Sequence, residues 1–228
     1  MTITIQIDAL IVIGVTIVLV GVFALVGSLF KKSDPLAKTP LWMVPILWLV
    51  NSIDNMAIES MGHKYAKIMT PYLLAIASFI FLCNILGLFS LPSPTSNFSV
   101  TLTLAFITWL TQQIASIKFS GLKAYLHGFI EPIFLFLPMN IFGKFSSLLS
   151  MSLRLFGNIL AGGLLMSLVY SATGFVSNLI VDFNFLGPII APILHAYFDV
   201  FAGFIQTLIF ITLTVVFVGN EIPDELKD

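Results

Sequence analysis

Between Lys67 and Lys118 the chain carries no charged side chain, and between Asp8 and Lys31 it carries none either. A water-soluble fold of ordinary composition is about 25% charged. Here charged residues are 9% and hydrophobic residues 58%, with a mean hydropathy of +1.06. The apolar run Ala9–Phe30 is 22 residues long, enough as a helix to cross a hydrocarbon core of about 30 Å. The uncharged stretch after Lys67 is punctuated by PSPT at 92–95, a turn signature that divides it into spans at about 68–91 and 98–117. A backbone inside hydrocarbon must bond to itself. The expected fold is therefore all-α: a polytopic integral membrane protein, one membrane domain over 1–228.

The distribution of charge orients it. Lys31, Lys32 and Lys38 follow the first span and Lys64 and Lys67 precede the second; Lys118 and Lys123 follow the third, and Lys144 precedes the fourth. The loops 91–98 and 180–187 hold no Lys or Arg. By the positive-inside rule the N-terminus is expected outside, and the 31–67 connection and the EIPDELKD tail inside. The first span has no basic residues ahead of it and no small-residue cleavage site after it, so it reads as a retained helix. Cys83 stands alone in an apolar run and reads as packing.

Other apolar stretches do not span simply. Residues 40–61 (PLWMVPILWLVNSIDNMAIESM) mix Trp42 and Trp48 with Asn51, Asp54, Asn55 and Glu59. An amphipathic helix lying at the inner interface is expected there. The segments 145–180 and 188–220 are each far longer than a bilayer requires, and each either breaks into a re-entrant pair or lies strongly tilted.

Arg154, in SLRLFGNILAGG, is the only arginine, and from Leu155 to Val181 the only other ionisable side chain is Tyr170. A guanidinium cannot deprotonate its way out of the membrane, and at mid-depth it costs about 2.5–3.5 kcal/mol on insertion scales. It either snorkels towards the inner interface or faces protein, water or an opposing carboxylate. Asn158 follows one turn on, among the small residues Gly157, Ala161, Gly162 and Gly163, which permit a second helix to approach closely. A second polar stripe, His195, Asp199 and Gln206, has spacings of four and seven that put it on one helical face. Two converging polar stripes in hydrocarbon point to an ion route.

At these residues the chain resembles a known family. LRLFGNILAG and IQTLIFITLTVVFV are similar to the two signature segments of subunit a of F-type ATP synthase, bacterial type. TLTLAF and EPIFLFLPMN are similar to its bacterial members. The element order fits over essentially the whole chain: an initial span, an interfacial helix, a two-span hairpin and two long tilted helices. The resemblance implies an ion-translocating stator subunit of the F0 sector. Two proton half-channels would open to opposite faces beside a rotating ring of c subunits and couple proton flow to ATP synthesis or hydrolysis. It implies a non-catalytic subunit without a cofactor, partnered by the c-ring, peripheral-stalk b subunits, the rest of F1F0 and lipid. The implied location is a bacterial inner (plasma) membrane, with a mitochondrial inner membrane as the alternative. Arg154 matches the family's essential arginine, and Asn158 and Gln206 match its amide positions.

Three positions depart from the family pattern. Gly163 stands where Glu or His is frequent. Asp199 stands where relatives carry His, Glu or a small polar residue. NIFGKF puts Gly143 and Lys144 where many bacterial members carry glutamates. Asp199 is then the obvious acid of the outer half-channel. His195, one turn away, either relays protons or is an interfacial residue. Glu131 is a solvated acid or a half-channel lining, and Asn84 pairs between helices or lines the route. His63 and His127 read as solvated. No phosphate loop, metal-ligand cluster or nucleophile constellation occurs, and the scattered basic residues exclude nucleic acid as a partner. The rival classes are a self-contained ion channel or secondary transporter, which would show internal repeats, and a structural scaffold, which leaves the arginine unexplained.

Overall fold

The computed structural model describes residues 7–32, 40–89, 91–131, 133–179 and 183–227. Lys38, Ile180 and the first residues of the 180–187 loop lie outside the described residues. Those described are helical or in turns. Five helices are long and apolar enough to cross a membrane.

Helix α1 (Ile7–Lys32) stands at the edge, with most of its apolar residues exposed. Helix α2 (Met43–Met61) is the stretch with the mixed face. It buries Met43, Ile53, Ala57 and Met61, and Asp54 accepts a hydrogen bond of 2.6 Å from Thr70 of α3 (His63–Ile85). Gly62 alone joins α2 to α3 at φ 79°, in the left-handed region that glycine enters without penalty. A side chain there would also run into the backbone of Lys227, so the C-terminal tail packs against this turn. At the other end of α3 the chain reverses through two 3-10 turns, Leu86–Phe89 and Pro94–Ser96. Ser93 donates to the Cys83 carbonyl at 2.7 Å, and the Asn97 side chain caps α4 (Phe98–Ser120) by accepting from the Ser99 N–H at 3.0 Å. Gly121, again at φ 79°, ends α4 and leads into the short α5 (Leu122–His127).

Helix α6 (Leu137–Asn178) is 42 residues without interruption, about 63 Å long. Of the two arrangements the sequence permits, the unbroken helix is the one formed. It starts ahead of residue 145 because Pro138 sits in its first turn, where a missing N–H has no partner to lose. The last rod is continuous but not uniform. Helix α7 (Gly187–His195) passes into a π-helical turn at Ala196–Ala202 and then into α8 (Gly203–Gly219).

The packed centre lies where α8 meets α2, α3, α4 and α6. Phe210, Ile211, Val215 and Val218 of α8 bury against Ile53, Leu73, Ile80, Ala105, Leu148 and Leu155. Hydroxyls inside this core return to their own helices: Thr207 bonds the Gly203 carbonyl and Thr214 that of Phe210. Each is thereby satisfied where no water is available. Helix α6, like α1, is an exception to this burial. Only 11% of its most apolar stretch is covered by the rest of the chain, against 39% for the last rod.

Candidate functional site

Arg154 lies in the middle reach of α6, exposed, and no hydrogen bond or ion pair with any described residue reaches its guanidinium. On one side of it along α6, residues Asn158–Met166 wall a cleft of about 360 Å³. On the other side, Asn140, Gly143 and Lys144 wall a second cleft of about 690 Å³. Lys144 is ten residues before Arg154 and Gly163 nine after it, about 15 and 14 Å along the axis. Neither cleft is lined by Arg154 itself.

The first cleft gathers Asn158, Gly163, His195, Asp199 and Asn84 from α6, the last rod and α3. His195 Nδ1 is 2.7 Å from Asp199 Oδ2, and His195 Nε2 is 2.9 Å from the Tyr170 hydroxyl. A single tautomer serves both contacts: the ring donates from Nδ1 to the carboxylate and accepts at Nε2 from the phenol. The three side chains form a continuous chain of exchangeable protons leading from a further cleft beside Asn184 and Pro188, lined by both Tyr170 and His195. The carboxylate is pressed on Gly87, where an added Cβ would lie 3.0 Å from it. Asp199 sits in the π-helical turn. Such turns are rare and are found most often at functional sites.

Asn84 is buried and donates from Nδ2 to the Gly203 carbonyl at 3.2 Å, while its Oδ1, also buried, has no partner among the described residues. The close approach depends on Gly203, whose Cβ would stand 2.8 Å from that of Asn84. Asn84 therefore both ties α3 to α8 and presents a free acceptor at the cleft.

Gln206 departs from the single stripe. It is buried on α8, its Nε2 has no partner among the described residues, and it does not line the cleft that holds Asp199. The π-helical turn takes more residues per turn than an α-helix, so the seven-residue step from Asp199 does not return to the same face. No hydrogen bond joins Gln206 to Arg154 among the described residues.

The second cleft is polar in a different way. Glu131, which the sequence leaves as a solvated acid or a half-channel lining, is exposed and pairs with His127 at 2.9 Å. Glu221, two residues beyond α8, meets Lys144 and Ser116 of the cleft wall. It accepts from Lys144 Nζ at 3.3 Å and from Gln112 Nε2 at 3.1 Å, while the Tyr125 hydroxyl donates to Gln113 at 2.7 Å. Burial pushes the Glu221 carboxyl upward, but hydrogen bonds from Ser116 and Gln112 and the charge and hydrogen bond of Lys144 outweigh it, holding the group below the usual carboxylate range. Burial, and then the Glu221 charge, push the Tyr125 phenol up. Sequence reasoning passed over Tyr170, Glu221 and the role of Lys144. The available signals were slight: Tyr170 as the one ionisable group in a long apolar run, and Lys144 as a cation without a nearby acid in the chain. Among the described residues no group of His, Cys, Asp or Glu is arranged to hold a metal.

Comparison with known proteins gives a consistent result. A family model described as ATP synthase A chain matches residues 9–219. ATP synthase subunit a of Bacillus pumilus is 33% identical over 190 residues, covering 78% of this chain and 78% of that protein. The subunit a of Streptococcus agalactiae serotype Ia is 32% identical over 187 residues, covering 77% of this chain and 75% of that protein. A third relative, from Propionigenium modestum, is named as sodium ion specific; it is 30% identical over 189 residues, covering 75% of this chain and 60% of that protein.

Proposed function

Because the chain belongs to the ATP synthase A chain family, we propose that its two clefts are the half-channels of the F0 sector and that Arg154 divides them. The chain is the ion-translocating, non-catalytic subunit of that sector, part of the F1F0 complex, and a multi-pass protein of a bacterial membrane. In our reading the cleft of Asp199, His195 and Asn158 opens outward and the cleft of Lys144 opens to the cytoplasm, with the N-terminus outside and the C-terminus inside. The lysines at the ends of α1 and α4 and at the starts of α3 and α6 all fall at the proposed inner end, as the positive-inside rule requires.

The observation that carries the reading is Arg154, exposed on a sparsely covered apolar helix with no hydrogen-bond or ion-pair partner among the described residues. A permanent charge on a membrane-spanning helix is costly, and a carboxylate brought by another subunit offsets that cost. A ring of c subunits, each bringing an acidic group past α6, supplies it. Protons reach that group through the Tyr170–His195–Asp199 chain on one side and leave through the inner cleft on the other. Arg154 keeps the passing carboxylate ionised and repels a proton attempting the direct route. Each charge moved through the field gains about 2.3 kcal/mol per 100 mV, which drives rotation. The peripheral-stalk b subunits hold this chain still against that torque.

The test is ATP-driven acidification of inverted membrane vesicles. Arg154→Ala is expected to abolish pumping while the complex still assembles; pumping retained at more than a small fraction of the native rate would overturn the role. Vesicles without added sodium are expected to acidify, and a strict sodium requirement would replace the proton by sodium as the coupling ion.

A further inference from the structure

At the inner end, three elements distant in sequence converge on one carboxylate. Glu221 comes from the tail after α8, Lys144 from α6, and Gln112 and Ser116 from α4. Its side chain is only 17% exposed and that of Lys144 32%, yet Lys144, Ser116 and Tyr125 all line the inner cleft. The carboxylate is thus sheltered, fully coordinated and one side chain away from the aqueous space. The contact spans 77 residues of sequence, and it binds the tail to the helix that carries Arg154.

We propose that Glu221 is the proton-exchanging acid of the inner half-channel and that Lys144 is the positioning residue that holds it beside the cleft. This rests on the reading of the inner cleft as a half-channel. Glu221 takes a proton arriving along α6, breaking its contact with Lys144, and passes that proton to water in the cleft. Re-ionisation restores the pair, so the acid resets after each transfer. Without the carboxylate, the Lys144 ammonium faces the route uncompensated and opposes the approach of any cation. The charged and titratable groups around Glu221 are Lys144 from α6 and Tyr125 from α5.

In inverted vesicles the medium bathes the inner face, so its pH titrates this site directly. Initial acidification rates, normalised to the ATP hydrolysis of the same complexes, would be measured for the native protein, Glu221→Gln, Glu221→Asp, Lys144→Met and Arg154→Ala. Glu221→Gln keeps the shape but loses the charge and the exchangeable proton, and a fall of roughly a hundredfold is expected; Glu221→Asp should recover much of it. Lys144→Met removes a charge that lowers the Glu221 pKa, so the carboxyl stays protonated to higher pH and the acidic limb of the rate profile should move upward. A native rate in Glu221→Gln, or a slower Lys144→Met with an unmoved profile, would overturn the proposal and leave the pair as an anchor for the tail. Arg154→Ala separates the two levels: if it pumps, the half-channel reading itself fails, and if it is inactive while Glu221→Gln is normal, only the role of Glu221 fails.

Discussion

His195 Nδ1 and Asp199 Oδ2 stand 2.7 Å apart across a π-helical turn, with both side chains about a quarter exposed or less. A carboxylate and an imidazole at this distance exchange a proton without rearrangement, and the Tyr170 hydroxyl at His195 Nε2 extends the path by one step. Asp199 thus has donors, a cleft and an outlet, whereas Glu131 has only His127 and solvent.

Asp199→Asn is accordingly expected to slow ATP-driven acidification on the order of a hundredfold, the lower end of what a positioned proton carrier contributes, with Glu131→Gln close to the native rate. Dye quenching in inverted vesicles measures both. Normal pumping by Asp199→Asn would assign the outer route to water or to another residue.

Gly163 lines the same cleft as Asp199, and an added Cβ there would meet nothing within 4 Å. Gly163→Glu should therefore be accommodated, and in the Asp199→Asn background it should restore part of the lost rate, since a second wall of the cleft then supplies the acid. Failure of the double variant to exceed Asp199→Asn alone would show that the position of the carboxylate, beside His195, matters more than its presence.

Gln206 buries an amide whose Nε2 has no partner among the described residues, an arrangement that costs about 1–3 kcal/mol. Gln206→Leu removes that cost and should leave the thermal stability of the assembled complex equal or slightly raised. The same change should reduce pumping only a few-fold, far less than loss of a proton carrier, because the amide carries no exchangeable charge and makes no hydrogen bond to Arg154 among the described residues. A block as complete as that of Arg154→Ala would make the two residues one functional unit.

Much of this protein is determined locally. Hydrocarbon requires every backbone group to bond within its own segment, so uncharged runs such as Ala9–Phe30 become helices wherever they sit in the chain. The lone Arg154 declares itself by its cost for the same reason. The limits of α2 and the turn at 92–95 follow from Trp, Pro and polar placement, which are also local.

Tertiary structure decided the rest. Whether 145–180 bends back or runs straight depends on what it packs against. Asp199 and Gln206 share a face in an ideal helix, and they part because the rod takes a π-helical turn where Asp199 meets Gly87. Glu221 reads as one more charge in a polar tail until folding lays it against Lys144 and Gln112, each far away in sequence. Hydrophobic burial acts on every apolar residue alike and so can be read from composition. The partner of a particular charge is set by geometry across the fold, and no stretch of sequence contains it.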